Sequence, residues 1–171
     1  SFRPIERITI SSDRKEIYFS QLNGYGNPLN VTKIQCYKYF DNMWQGPTEL
    51  FNGYAAPALS PNDSILFMQA TITYDRGETY YSRRTATGWS TPVQMFHFSQ
   101  QSHYTQSTSL NNIYISTNFP GPSLRDVGKI IISGADTTVM NIGLPVNTAL
   151  DESDFFIARD ESYIIHARHS S

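Results

Sequence analysis

Four short segments of the 171-residue chain share one design, a polar turn followed by alternating large apolar residues: 12-SDRKEIYFS-20, 60-SPNDSILFM-68, 108-TSLNNIYIS-116 and 158-ARDESYIIH-166. Their first residues are separated by steps of 48, 48 and 50. A near-constant period through sequence that is not low-complexity points to a repeat architecture, in which each unit buries its apolar face against the next.

A second short apolar run precedes each segment: 8-ITI-10, 57-PAL-59, 104-YTQS-107 and 155-FFI-157. Run, tight polar turn and run together read as a β-hairpin. Two further strand-like runs follow in each of the first three units, 31–40 and 47–51, 78–84 and 91–98, 128–133 and 137–142. Trp44-Gln45-Gly46-Pro47 and Trp89-Ser90-Thr91-Pro92 hold matching places, 45 residues apart, before the last run. No segment sustains a 3.6-residue apolar period, so no helix is expected. Four strands in each unit of about 40–50 residues is the signature of a propeller blade. The expected fold is all-β, a β-propeller with four-stranded antiparallel blades at about 5–52, 53–100 and 101–150 and a half-blade at 151–171.

Charged residues make up 16% of the chain and the net charge is −2, which excludes a nucleic-acid footprint. Aromatics reach 13%, as β-structure favours. The lone Cys36 sits in a strand-like run and reads as a buried structural thiol. No apolar stretch approaches membrane-spanning length, and no signal peptide is recognisable ahead of Ser1.

The pieces 89-WSTP-92, 143-GLPVNT-148, 151-DESDFFIARDESYIIHAR-168 and 57-PALSPNDSILF-67 resemble the WD40-like, TolB-type propeller repeats, often called PD40. That unit runs Trp-x-x-Pro, Gly-x-x-Ile-Asn-Thr, Glu-x-x-Pro, Ser-Pro-Asp-Gly and then a Tyr/Phe-rich strand. The resemblance spans nearly the whole chain and is strongest in the fourth segment. The turn Gly of Ser-Pro-Asp-Gly is missing from every copy, and the third repeat lacks its Trp-x-x-Pro. Such repeats are common in exported proteins of Bacteroidetes and other Gram-negative bacteria, so the resemblance implies a periplasmic or cell-surface location. Because propellers host many unrelated activities, it implies a fold more than a function.

Three complete units end near Leu144, and the residues ahead of Ile8 supply at most one weak strand. Blades need a neighbour on each face. The expectation is therefore a piece of a larger propeller, with self-association or an unorthodox completing strand as the other ways to cover the open edge.

The stretch 73-TYDRGETY-80 resembles the Asp-box of sialidases, yet it falls between the second and third strands of its unit and ends in Tyr. Asp75 and Gly77 read there as turn residues. No Gly-x-Ser-x-Gly elbow occurs. His166 and His169 are three apart at the C-terminal end, where a disordered tail is expected in place of a metal site. The acidic groups 151-DESD-154 and 160-DE-161 read as solvated turns. No catalytic residue, metal ligand or cofactor is assigned.

Propellers bind ligands where the loops entering each first strand meet those joining strands two and three. Six residues ahead of each turn lie Glu6, Tyr54, Ser102 and Glu152, with His103, Tyr104 and Asp154 adjoining. Glu6 and Glu152 match the Glu of Glu-x-x-Pro and are read as inter-blade hydrogen-bonding groups. Tyr54 and His103 depart from the repeat and, with Asp154, are the binding candidates; Tyr25, Asp75, Arg76 and Arg125 add an outer rim. The expected function is a non-enzymatic binding or scaffold module for a protein, peptide or glycan. The alternative is a sialidase-like propeller glycoside hydrolase or lyase acting on polysaccharide.

Overall fold

The computed structural model describes residues 5–22, 32–71, 78–95, 101–120, 125–134 and 136–169. Strands β1 (Ile5–Ile10), β2 (Glu16–Gln21), β3 (Lys33–Phe40) and β4 (Met43–Asn52) form one antiparallel sheet in that order. In the second sheet β5 (Tyr54–Leu59), β6 (Ile65–Ala70) and β7 (Thr79–Thr85) are followed by β8 (Gly88–Trp89) and β9 (Val93–Gln94). Both β8 and β9 pair with β7, as one fourth strand interrupted at 90–92. The third sheet holds β10 (His103–Ser107), β11 (Ile113–Thr117), β12 (Asp126–Ser133) and β13 (Asp136–Asn141); β14 (Phe155–Ile157) and β15 (Ile164–His166) form a two-stranded fourth. The first strands neighbour one another in sequence, β1 on β5, β5 on β10 and β10 on β14. Sheets stacked edge-inward in this way are blades, and the chain is a β-propeller of about three and a half blades.

The first turn of every blade is built alike. The backbone N–H of Ser11, Ser60 and Ala158 donates to the carbonyl five residues on, and that of Thr108 to the one four residues on. The fourth turn residue, Arg14, Asp63, Asn111 or Glu161, is left-handed, with φ between 57° and 62°. This is the place a glycine would take, and these four side chains stand there instead, at roughly 1 kcal/mol each for a residue with a Cβ. Side chains stabilise the turn from within: Asp13, Asn62 and Asp160 each accept the N–H two residues on. They also stitch turns together. Asp63 accepts from the N–H and hydroxyl of Ser12, and Glu161 from Thr108 and Asn112.

This geometry corrects the repeat register. Ser11, not Ser12, matches Ser60, Thr108 and Ala158, so the steps are 49, 48 and 50. Ile5 thereby becomes the equivalent of Tyr54, Ser102 and Glu152, and Glu6 moves one place on. Residues 5–7 are no separate strand but extend β1. Trp44 lies inside β4, not ahead of it. The segment read as a tail is paired: the backbone of His169 exchanges hydrogen bonds with that of Asp151.

A second device recurs in the first strands. Arg7, Ala56 and Tyr104 have φ of 46°, 50° and 51°, each where the pairing register slips. These bulges sharpen the local twist and turn backbone groups toward the neighbouring blade. Side chains meet them: Ser20 Oγ accepts from Ala56 N, Thr9 Oγ1 from Leu59 N, and Gln106 holds both Phe155 O and Ile157 N.

The buried clusters lie between sheets. Tyr18, Ile34 and Cys36 pack on Leu59, Leu66 and Met68, and Tyr114 and Val127 pack on Phe155 and Ile157. Among the described residues, the boundary between the second and third sheets buries Ile115 and Ile130 as an apolar cluster, flanked by Met95, Ile113 and Val139.

Two turn variants separate backbone strain from side-chain bonding. Arg14→Gly relieves a left-handed side chain that carries no bond between blades among the described residues, and its thermal midpoint is expected to stay level or rise by up to about 3 °C. Glu161→Gly relieves the same strain but deletes the bonds from Thr108 and Asn112, and a net loss of about 2 kcal/mol is expected by denaturant titration.

Candidate functional site

The β1–β2, β5–β6, β10–β11 and β14–β15 turns lie at one end of the first strands, and the beginnings of those strands lie at the other. That second end gathers residues from several blades. Arg7 lays its guanidinium over the Tyr104 ring, 4.7 Å from the centroid, and donates to Phe155 O at 3.0 Å. Three blades thus meet around one half-buried cation. Tyr54 is half-buried and packs against the apolar cluster of the first blade boundary, its ring edge-on to Tyr80 at 5.4 Å and to Phe51 at 6.2 Å. Burial raises the affinity of the Tyr54 hydroxyl for its proton. Asp154 is exposed, and its carbonyl accepts from Ala167 N.

His103 takes a different position. It is 3% exposed, and its Nδ1 stands 2.7 Å from Gln69 Nε2 across the second blade boundary. An amide nitrogen is a donor, so Nδ1 is the acceptor and the proton sits on Nε2. Burial, with Arg125 adding repulsion, pushes the His103 pKa down to about 4. Nearby, Thr79 Oγ1 bonds both Ser102 Oγ and Thr105 Oγ1, at 2.9 and 2.7 Å. The second boundary is therefore polar and hydrogen-bonded at this end.

Glu152 is fully buried, and its oxygens take Thr148 N, Thr148 Oγ1 and Arg168 Nε at 3.2, 2.6 and 3.0 Å. Burial alone would raise its pKa, but those donors outweigh it and hold the carboxyl below its ordinary value. Its backbone N–H donates to Arg125 O of the preceding blade. A carboxylate committed in this way fixes the approach to β14 and is poorly suited to attack a substrate. Glu6 pairs with Ser20 through its backbone.

Tyr25, Asp75 and Arg76 lie outside the described residues. So does most of 73-TYDRGETY-80, of which Thr79 and Tyr80 open β7. Of the sequence candidates, Asp154 has an exposed side chain, Tyr54 is half-buried against the first blade boundary, and His103 is enclosed. Arg7 was not singled out from the sequence. Its signal was available only in the corrected register, where it aligns with Ala56 and Tyr104 at the bulge.

Cys36 is buried; its thiol donates to Tyr37 O at 3.3 Å, and burial, with Glu16 adding to it, pushes its pKa up to about 11. Among the described residues no group of three or more His, Cys, Asp or Glu side chains converges as a metal site would require, and no helix is long and apolar enough to cross a membrane.

No family model matches the chain, and no curated protein sequence matches it. Solved structures do. A puromycin-hydrolyzing peptidase of Mycobacterium tuberculosis superposes with a TM-score of 0.59 at 10% identity, over 98% of this chain and 29% of that one. A structure from work on two prolyl endopeptidases superposes with a TM-score of 0.54 at 14% identity, over 88% of this chain and 23% of that one. The chain spans less than a third of either protein, and at these identities what is shared is the fold. The class is thus that of β-propeller modules with four-stranded blades.

His103 makes stability depend on pH. The unfolded chain takes up a proton near pH 6.5 and the folded chain only near 4, so the unfolded state binds more protons in that window. Stability is full above the window and falls as pH drops through it, by roughly 3 kcal/mol at the limit. Thermal midpoints from pH 7 to 5 should therefore decline more steeply in the parent than in His103→Gln; parallel curves would contradict the assignment.

Proposed function

We propose that the chain is a binding module of an exported, TolB-like propeller protein, which recognises an extended peptide segment at the channel end formed by the starts of the first strands. The supporting observation is the Arg7–Tyr104–Phe155 junction, where a guanidinium, aromatic faces and a strand backbone from three blades stand together. Peptides offer carboxylates, carbonyls and apolar side chains, and this combination answers each of them. Asp154, next to Phe155 in the chain, supplies a counter-charge, and Tyr54 an aromatic ring at the start of β5. His103 serves by locking the second and third blades in place. Tyr25, Asp75 and Arg76, outside the described residues, enter this reading as sequence candidates alone. Two peptidases among the structural neighbours add weight to a peptide over a glycan.

On this reading the chain is part of a larger propeller. The outer face of the first sheet exposes Ile8, Ile10, Tyr39 and Trp44, and the outer face of the last exposes Phe156, Tyr163 and Ile165. Faces of this kind are covered by further blades or by a second copy. The periplasmic or cell-surface location rests on the repeat motifs and is checked by cell fractionation.

A peptide library and a glycan array, screened in parallel, test the function. Saturable peptide binding is expected, weakened at least tenfold by Arg7→Gln and by Asp154→Asn, with thermal midpoints confirming that each variant is folded. Glycan binding or turnover in place of peptide binding would move the protein to the polysaccharide-acting reading.

A further inference from the structure

The hairpins closing the outer halves of the three complete blades are superposable by register. Their closing pairs are Phe40–Met43, Thr85–Gly88 and Ser133–Asp136. One residue past each lie Trp44, Trp89 and Thr137, paired across the strand with Tyr39, Arg84 and Ile132. Side chains directly opposite in a sheet share a face.

Trp89 shows what this position does. Its ring meets Tyr18 of the preceding blade edge-on at 5.9 Å, beneath the Arg84 guanidinium at 4.4 Å. Arg84 in turn bonds Glu16 Oε2 at 2.7 Å. An indole and an ion pair thus fill the wedge between the first and second blades. In the third blade the indole is replaced by Thr137 and the guanidinium by Ile132. Facing them in the second blade, Phe67 and Ile65 stand where Tyr18 and Glu16 stand in the first.

Among the described residues, the wedge between the second and third blades is accordingly open. A cleft of ≈ 440 Å³ lies there, floored by Ile65, Phe67, Met95 and Ile113 and rimmed by Asn62 and Ser109. Ile132, on the same face of the third sheet as Ile113 and Ile130, is 61% exposed. The Ser107 hydroxyl in the cleft wall is buried without a hydrogen-bond partner among the described residues. This volume falls within the range of about 300–1,000 Å³ typical of small-ligand sites.

We propose that this cleft is a binding site for an aromatic side chain, tryptophan above all, presented by a polypeptide partner. The slot has the strand geometry that elsewhere in the same chain seats an indole, and it lacks the indole. Its floor is apolar and its rim polar, which suits a flat ring carrying one N–H. An unfilled apolar slot forfeits the dispersion contacts that a ring restores, and aromatic anchors in such pockets dominate polypeptide recognition. The cleft opens among the β5–β6 and β10–β11 turns, at the opposite end of the blades from the Arg7 junction. It therefore stands independently of the peptide site proposed there.

Titration with N-acetyl-tryptophanamide, read from the methyl resonances of Ile65, Met95 and Ile113, tests the proposal. Saturable shifts confined to these methyls are expected, with N-acetyl-leucinamide at least tenfold weaker. Thr137→Trp should fill the slot from within, raise the thermal midpoint and abolish the shifts. Ile65→Asn, which spoils the floor at a half-exposed position, should weaken binding at least fivefold and serves if the first variant does not fold. Shifts that are absent, that fail to saturate, or that persist in folded Thr137→Trp overturn the proposal. Concentration-dependent shifts without probe, lost in Trp44→Ala, would assign the slot to a second copy of the chain and overturn an external partner.

Discussion

Each sheet in this protein is a thin layer with two faces, and almost everything else follows from how one face meets the next. Adjacent first strands do not hydrogen-bond to each other as a sheet would. They communicate through bulges at Arg7, Ala56 and Tyr104 and through side chains such as Ser20, Thr9 and Gln106 that reach across to neighbouring backbone. A strand of three to six residues cannot hold position alone, so these cross-blade bonds set where the channel lies and which groups line it.

The three boundaries solve the same packing problem with different chemistry. The first is closed by aromatic contact and by Arg84 on Glu16, whose carboxyl is held below its ordinary value by Arg84 and Tyr18 against the opposing effect of burial. The third joins an apolar cluster, Phe155 and Ile157 against Tyr114 and Val127, to the bonds of Gln106 and Glu161 at its two ends. The second is polar around His103 and Thr79 at one end and open at the other. A chain of near-identical repeats thereby acquires one boundary unlike its neighbours. Departures from the repeat, rather than the repeat itself, mark the places where a ligand can be accommodated.

The repeat, the strand content and the hairpins were legible because alternation of large apolar residues reports directly on a half-buried strand, as in 64-SILFMQA-70. The register of the first unit was not. Ser11 and Ser12 are the same residue type, so the sequence fits either alignment, and only the hydrogen bond from Ser11 N to Glu16 O distinguishes them. That single step moved Glu6 off the position of Glu152 and brought Arg7 onto the position of Tyr104. His103 stood out in sequence as a departure from the repeat, yet the structure encloses it against Gln69. A polar residue at a strand start has the same local signature whether it faces solvent or a neighbouring sheet.

The sequence by itself determined that the chain is built of repeated antiparallel hairpins stacked as blades, since local alternation and turn chemistry are properties of neighbours along the chain. The tertiary structure alone decided which faces meet. Whether Trp89 fills a wedge, whether Thr137 leaves one open, and whether Arg7 reaches Phe155 depend on side chains about 50 to 150 residues apart. Contacts at that separation leave no pattern in a local window, because they are set by the angle between whole sheets.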